Sequence, residues 1–188
     1  MKNIAVLVSG GGTNLQAILD YQQAGKLKNG EVVAVIASNP NAYALKRAEN
    51  FGVQGFVVSR KGLSQKDFEN GIIARLEEVG AEVIVLAGFM SILSAEFTKK
   101  YENRIINVHP SLIPSFCGEG FYGLKVHEAA LAYGVKVTGA TVHFVNEIAD
   151  GGKIIMQKAV CIEDGDTPEI LQKRVMEQAE WQILPEAV

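Results

Sequence analysis

The sequence predicts an α/β fold: a mostly parallel twisted sheet with helices on both faces and antiparallel strands added in the C-terminal half. Three observations carry this. Ile4-Ala5-Val6-Leu7-Val8 is apolar at every position, as a strand covered on both faces must be, and it closes on Ser9-Gly10-Gly11-Gly12. Short apolar runs then alternate with helical segments, the rhythm of β-α-β units with right-handed crossovers. Beyond Tyr133 that rhythm gives way to two successive β-rich runs.

Along the chain, further strands are expected at residues 32–37, 55–58 and 83–87. The clearest helix between them spans 65–79, where Phe68, Ile72, Leu76 and Val79 make one apolar face. A fifth strand at 104–108 leads into His109-Pro110, and a helix follows at about 126–133. The runs 136–145 and 153–161 are rich in residues that favour extended backbone, among them Val137, Val142, Phe144 and Val145. Gly151-Gly152 punctuates the turn between them, so they read as antiparallel partners. Thr167-Pro168-Glu169 is a helix start, with Thr167 as N-cap and Pro168 in the first turn, and that helix is expected to stop shortly before Pro185.

Composition narrows the function classes. With 188 residues, of which 48% are apolar, the chain fits one domain over 1–188 at roughly 150 residues per domain. Eighteen Lys and Arg against 21 Asp and Glu give a net charge of −3, which excludes a generally basic nucleic-acid binder. No apolar run approaches the roughly 18 residues of a membrane span. Cys117 and Cys161 form neither a CxxC pair nor a zinc pattern, usage that suits a reducing cytoplasm. The three histidines have no close metal spacing, so no metal is expected.

Two motifs carry chemistry. Ser9-Gly10-Gly11-Gly12-Thr13-Asn14-Leu15 lies where the first strand hands over to a helix. There glycines allow close backbone approach, and free helix N–H groups favour an anion. The dinucleotide fingerprint fails at its third glycine, where Leu15 stands. The second strand ends in Ser38-Asn39-Pro40, with no acid for a ribose diol. A phosphate monoester is the better fit than a dinucleotide, and a hydride-transferring oxidoreductase is disfavoured. The second motif, Asn107-Val108-His109-Pro110-Ser111, puts an amide and an imidazole two residues apart on one strand, hence on one face. Such a pair can hold an oxyanion, and imidazolium can also donate a proton. Asp150 precedes the Gly151-Gly152 turn, and its carboxylate can orient a histidine if the fold brings the two together. His143, amid Val142, Phe144 and Val145, reads as structural rather than catalytic.

Taken with Leu86-Ala87-Gly88-Phe89-Met90, Val142-His143-Phe144-Val145 and Asp150-Gly151-Gly152, these segments resemble the folate-dependent formyltransferases, most closely their glycinamide ribonucleotide branch. The resemblance runs from residue 4 to about 185 and implies a Rossmann-like formyltransferase fold. It implies a catalytic trio of Asn107, His109 and Asp150. It implies that Gly11, Gly12, Thr13, Asn14, Gly88 and Glu180 hold a phosphoribosyl substrate. Leu86, Met90, Ser91, Ile92 and Leu93, together with Asn146, Glu147, Ile148, Ala149 and Asp150, are the implied flanks of the folate. The co-substrate would be 10-formyltetrahydrofolate, with no metal. The partners would be small molecules only, without nucleic acid or membrane, and the chain a monomer or weak homodimer. Methionyl-tRNA formyltransferase shares the Asn-x-His-Pro-Ser core, but is expected to have a basic surface, unlike this acidic chain. Ser91 stands where many family members carry Arg, and the stretch 115–126, containing Cys117, is longer than usual before the family's next histidine, matched here by His127.

Overall fold

The computed structural model describes every residue from Met1 to Val188. Strands β1 (Lys2–Val8), β2 (Gly30–Ala37), β3 (Gln54–Val57), β4 (Val83–Leu86) and β5 (Ile105–His109) pair in parallel. Strands β6 (Val137–Phe144) and β7 (Ile154–Cys161) are added antiparallel, giving one seven-stranded sheet in the order β3-β2-β1-β4-β5-β6-β7. The expected fold class is therefore the observed one.

The absence of alternation in β1 has a direct cause. Ile4, Val6 and Val8 enter one core and Ala5 and Leu7 the other, all fully buried. The first core packs against α1 (Thr13–Gln23), α2 (Ala44–Asn50), α5 (Leu124–Tyr133), α6 (Pro168–Val175) and α7 (Trp181–Ala187). The second packs against α3 (Gln65–Glu78) and α4 (Ala95–Lys100), with Phe68, Ile72, Leu76, Phe97 and Tyr101 facing inward. Side-chain caps start three helices: Ser64, Ser94 and Thr167 accept from the N–H groups of Asp67, Phe97 and Ile170. No helix is long and apolar enough to cross a membrane.

One expectation fails at the C-terminus. Pro185 lies inside α7, so the helix does not stop before it. Between α6 and α7 the chain forms a π-helical turn over Met176–Glu180, and Gln182 Nε2 donates to the Glu177 carbonyl at 3.0 Å. Helical bonding restarts at Trp181, so proline removes only one donor near the end of a short helix. Burial of Ile183 and Leu184 keeps that helix in place.

The topology creates the crevice. The chain leaves β1 towards β2 on one side and returns to β4 on the other, so the loops after β1 and β4 diverge at the C-terminal edge of the sheet, where open α/β sheets bind ligands. Ser9 ties these loops: its Oγ shares a 2.7 Å hydrogen bond with Ser38 Oγ and accepts the Met90 N–H at 2.9 Å. At the other end of the crevice the β6–β7 loop closes tightly, because a Cβ on Gly152 would lie 1.6 Å from the Phe144 carbonyl oxygen. Gly152→Ala is therefore expected to pry the two strands apart and cost about 3 kcal/mol in urea unfolding. A wild-type unfolding midpoint would contradict this packing.

Candidate active site

Asn107 and His109 emerge from one face of β5, and the antiparallel register sets His143 opposite Asn107 and Thr141 opposite His109. Asp150 reaches this cluster from the β6–β7 loop, in a left-handed conformation with φ of 54° that side chains other than glycine seldom adopt. Its carboxylate spans two rings, with Oδ2 lying 3.4 Å from His109 Nδ1 and Oδ1 lying 3.6 Å from His143 Nε2. The Gly118 N–H donates to Oδ2 at 2.9 Å.

Backbone carbonyls fix both rings. His143 Nδ1–H donates to the Phe144 carbonyl at 2.8 Å, which leaves Nε2 to accept from the Asn107 amide at 3.2 Å. One N–H of Asn107 is thereby engaged and the other remains to be donated. His109 Nε2–H donates to the Phe116 carbonyl at 2.9 Å, so Nδ1 is the nitrogen turned towards Asp150. Burial pushes the Asp150 carboxyl up, but the Gly118 N–H that it accepts and the charge of the neighbouring His109 outweigh it. The group is left below the usual carboxylate value.

His109 is only 4% exposed, because the segment after Pro114 folds over it. Phe116, also at positive φ, packs edge-on against Phe121 and Tyr133, and its carbonyl meets His109 Nε2. The long stretch before α5 is thus a cover on the histidine.

At the glycine turn, Gly12 has φ of 73° and packs against the start of α2, where a Cβ would meet Ala44 Cβ at 2.7 Å. No side chain caps α1, so its leading N–H groups stay available to an anion. Asn14 Nδ2 donates to Glu180 Oε2 at 2.9 Å, while Asn14 Oδ1 is buried without a protein partner. Burial raises the Glu180 carboxyl above its ordinary value, and the Asn14 bond only partly opposes this. The π turn directs Glu180 inward, whereas Glu177 lies 3.8 Å from Lys173 on the surface. Gly88, at φ of 69°, begins the loop after β4.

That loop is apolar and open. Leu86 pairs with Asn107 across the β4–β5 ladder, and Met90 and Ile92 are 62% and 80% exposed. Across the crevice, Ile148 is 62% exposed beside Asn146, Glu147 and Ala149, and Asn146 Oδ1 accepts the Ile148 N–H at 3.0 Å. Ser91 and Leu93 are partly buried between these exposed apolar residues. Glu69 on α3 braces the loop. It accepts from Gln65 Nε2, the Ser94 N–H and Ser94 Oγ, each at 2.6 Å, and Gln65 also donates to the Ile92 carbonyl. The signal for Glu69 is in the sequence as a carboxylate on the apolar face of α3, between Phe68 and Ile72. No group of three or more His, Cys, Asp or Glu side chains is placed to hold a metal ion.

His127 on α5 is fully buried, and neither ring nitrogen meets a protein partner. Burial, helped by the charge of His109, pushes its pKa down to about 4. The unfolded chain therefore binds more protons than the folded one from about pH 6.5 to about pH 4, so stability falls on acidification through that window. His127→Leu should lose about 2 kcal/mol less than the parent between pH 7 and pH 5 in urea unfolding. Equal losses would show that His127 does not titrate in this way.

Residues 2–188 match the family described as formyl transferase. The chain is 40% identical over 186 residues to phosphoribosylglycinamide formyltransferase of Haemophilus influenzae, covering 98% of this chain and 84% of that protein. It is 43% identical over 186 residues to the trifunctional purine biosynthetic protein adenosine-3 of Gallus gallus, matching 98% of this chain but spanning only 18% of that protein. The crystal structure of glycinamide ribonucleotide transformylase 1 from Symbiobacterium toebii superposes with a TM-score of 0.92 at 41% identity, covering 100% of this chain and 85% of that one.

Proposed function

The chain belongs to the formyl transferase family, and on that premise we propose that it moves the formyl group of 10-formyltetrahydrofolate to the primary amine of glycinamide ribonucleotide. The observation that carries this reading is the cluster of Asn107, His109, His143 and Asp150 at the sheet edge, beside a glycine turn with open helix N–H groups.

In this reading the amine nitrogen attacks the formyl carbon, and the carbonyl π electrons move to oxygen. The second N–H of Asn107 is the free donor for that oxyanion, and His109, whose Nδ1 faces Asp150 and whose Nε2 donates to the Phe116 carbonyl, adds the positive charge of its imidazolium nearby. The Phe116 carbonyl keeps a proton on Nε2, so the ring presents Nδ1 in both of its charge states. Ionised Asp150 faces Nδ1, placed to support an imidazolium there. With a bound water Asp150 also passes the proton shed by the attacking nitrogen to the departing folate nitrogen, as the carbon–nitrogen bond to the folate breaks. The exposed apolar side chains of Met90, Ile92 and Ile148 suit the faces of a flat pterin. The turn from Gly11 to Asn14 suits the phosphate, and Glu180 the ribose hydroxyls. The reaction needs only these two small molecules, in the cytoplasm, and no metal.

The test is direct. Purified protein supplied with both substrates should yield formylglycinamide ribonucleotide together with tetrahydrofolate, followed by folate absorbance and by product mass. Folded protein that forms neither product would refute the assignment.

A further inference from the structure

The glycine turn, read as a phosphate site, contains no cation. Its donors are neutral amides, a hydroxyl and the partial charge of one helix end, roughly half an elementary charge. A phosphate monoester carries about −1.5 to −2 at neutral pH. We propose that Arg47 supplies the fixed positive charge for that phosphate and positions the turn that receives it; this rests on the assignment of the turn made above.

Arg47 is far from the motif in sequence, but α2 packs against Gly12 and brings it alongside. Its Nε–H donates to the Gly11 carbonyl at 2.8 Å and its Nη1 donates to Gln16 Oε1 at 2.8 Å, while the guanidinium lies 5.1 Å from the centre of the Tyr43 ring. These three contacts hold the group in one place. The bond to Gly11 has a specific consequence. A peptide carbonyl turned towards an anion repels it, and Arg47 draws this one to itself, leaving the N–H groups that follow for the ligand.

The partners of Arg47 are an amide, a carbonyl and an aromatic face. None is a carboxylate, whereas its neighbour Lys46 pairs with Glu49 at 2.7 Å. Gln16 links Arg47 to Asp20, accepting from the guanidinium and donating to the Asp20 carboxylate at 2.8 Å. A cavity of about 470 Å³ runs along α1 with Thr13, Gln16 and Arg47 in its wall. Half-buried there, the guanidinium is screened less than an exposed one.

Arg47→Gln removes the charge and keeps a polar side chain, and Arg47→Lys keeps the charge without the fork. For Arg47→Gln the KM for glycinamide ribonucleotide should rise about tenfold, with kcat and the KM for 10-formyltetrahydrofolate within about twofold of the parent. Arg47→Lys should fall between. The kcat/KM for glycinamide riboside, which lacks the phosphate, should not change. Calorimetry with ribose 5-phosphate should show a similar tenfold loss of affinity in Arg47→Gln, without any formyl transfer being required. Equal losses with nucleotide and riboside would reduce Arg47 to a structural role and overturn the proposal. So would unchanged ribose 5-phosphate affinity, or none in the parent protein. If the parent binds ribose 5-phosphate through Arg47 yet transfers no formyl group, the activity assignment falls and this one stands.

Discussion

Asp150→Asn should abolish turnover, by about 10³-fold or more, while leaving the KM for the phosphate-bearing substrate within about twofold. The substitution isolates charge from shape. Asparagine keeps an oxygen to accept the Gly118 N–H and, after glycine, is among the residues that best tolerate the left-handed conformation held at this position. What it loses is the negative charge 3.4 Å from His109 Nδ1 and 3.6 Å from His143 Nε2, together with the capacity to carry a proton. Because Asp150 is held below the usual carboxylate range, it is already ionised throughout the neutral region and should add no acidic limb above about pH 5 to the rate profile. Steady-state kinetics with the folded variant check this. Activity within about tenfold of the parent would remove Asp150 from the chemistry.

The sheet was largely legible in the sequence because its signals are local. A strand buried on both faces is apolar throughout, as in β1, and the change to β-rich runs after Tyr133 marks where antiparallel pairing begins. Asn107 and His109 were legible for the same reason, since residues two apart on a strand share a face whatever else happens. The rest of the cluster depends on non-local geometry. His143 looks structural beside Val142 and Phe144, and it is indeed buried, yet the strand register sets it against Asn107, where it decides which way the amide donates. The carbonyl of Phe116 leaves no mark in sequence, since every residue has one; only the fold of 115–118 aims it at His109. Pro185 misleads because a proline near a helix end is tolerated when buried apolar neighbours hold that helix.

Asn107→Ala should lower kcat by roughly 10²–10³, about 2.7–4 kcal/mol, with little change in either KM, as expected for a donor used in the transition state rather than in the ground state. Asn107 sits in a chain of oriented groups: the Phe144 carbonyl fixes His143, and His143 fixes the amide. His143→Phe, which removes the acceptor while keeping a ring, should therefore reduce kcat by releasing the Asn107 amide to rotate. Once Asn107 is alanine, there is no amide left for His143 to orient. The double variant should then lose far less than the two single losses multiplied, apart from any part His143 plays through its contact with Asp150. Full multiplicativity would mean that His143 acts through Asp150 alone, and that the hydrogen bond between the paired strands does not govern the oxyanion donor.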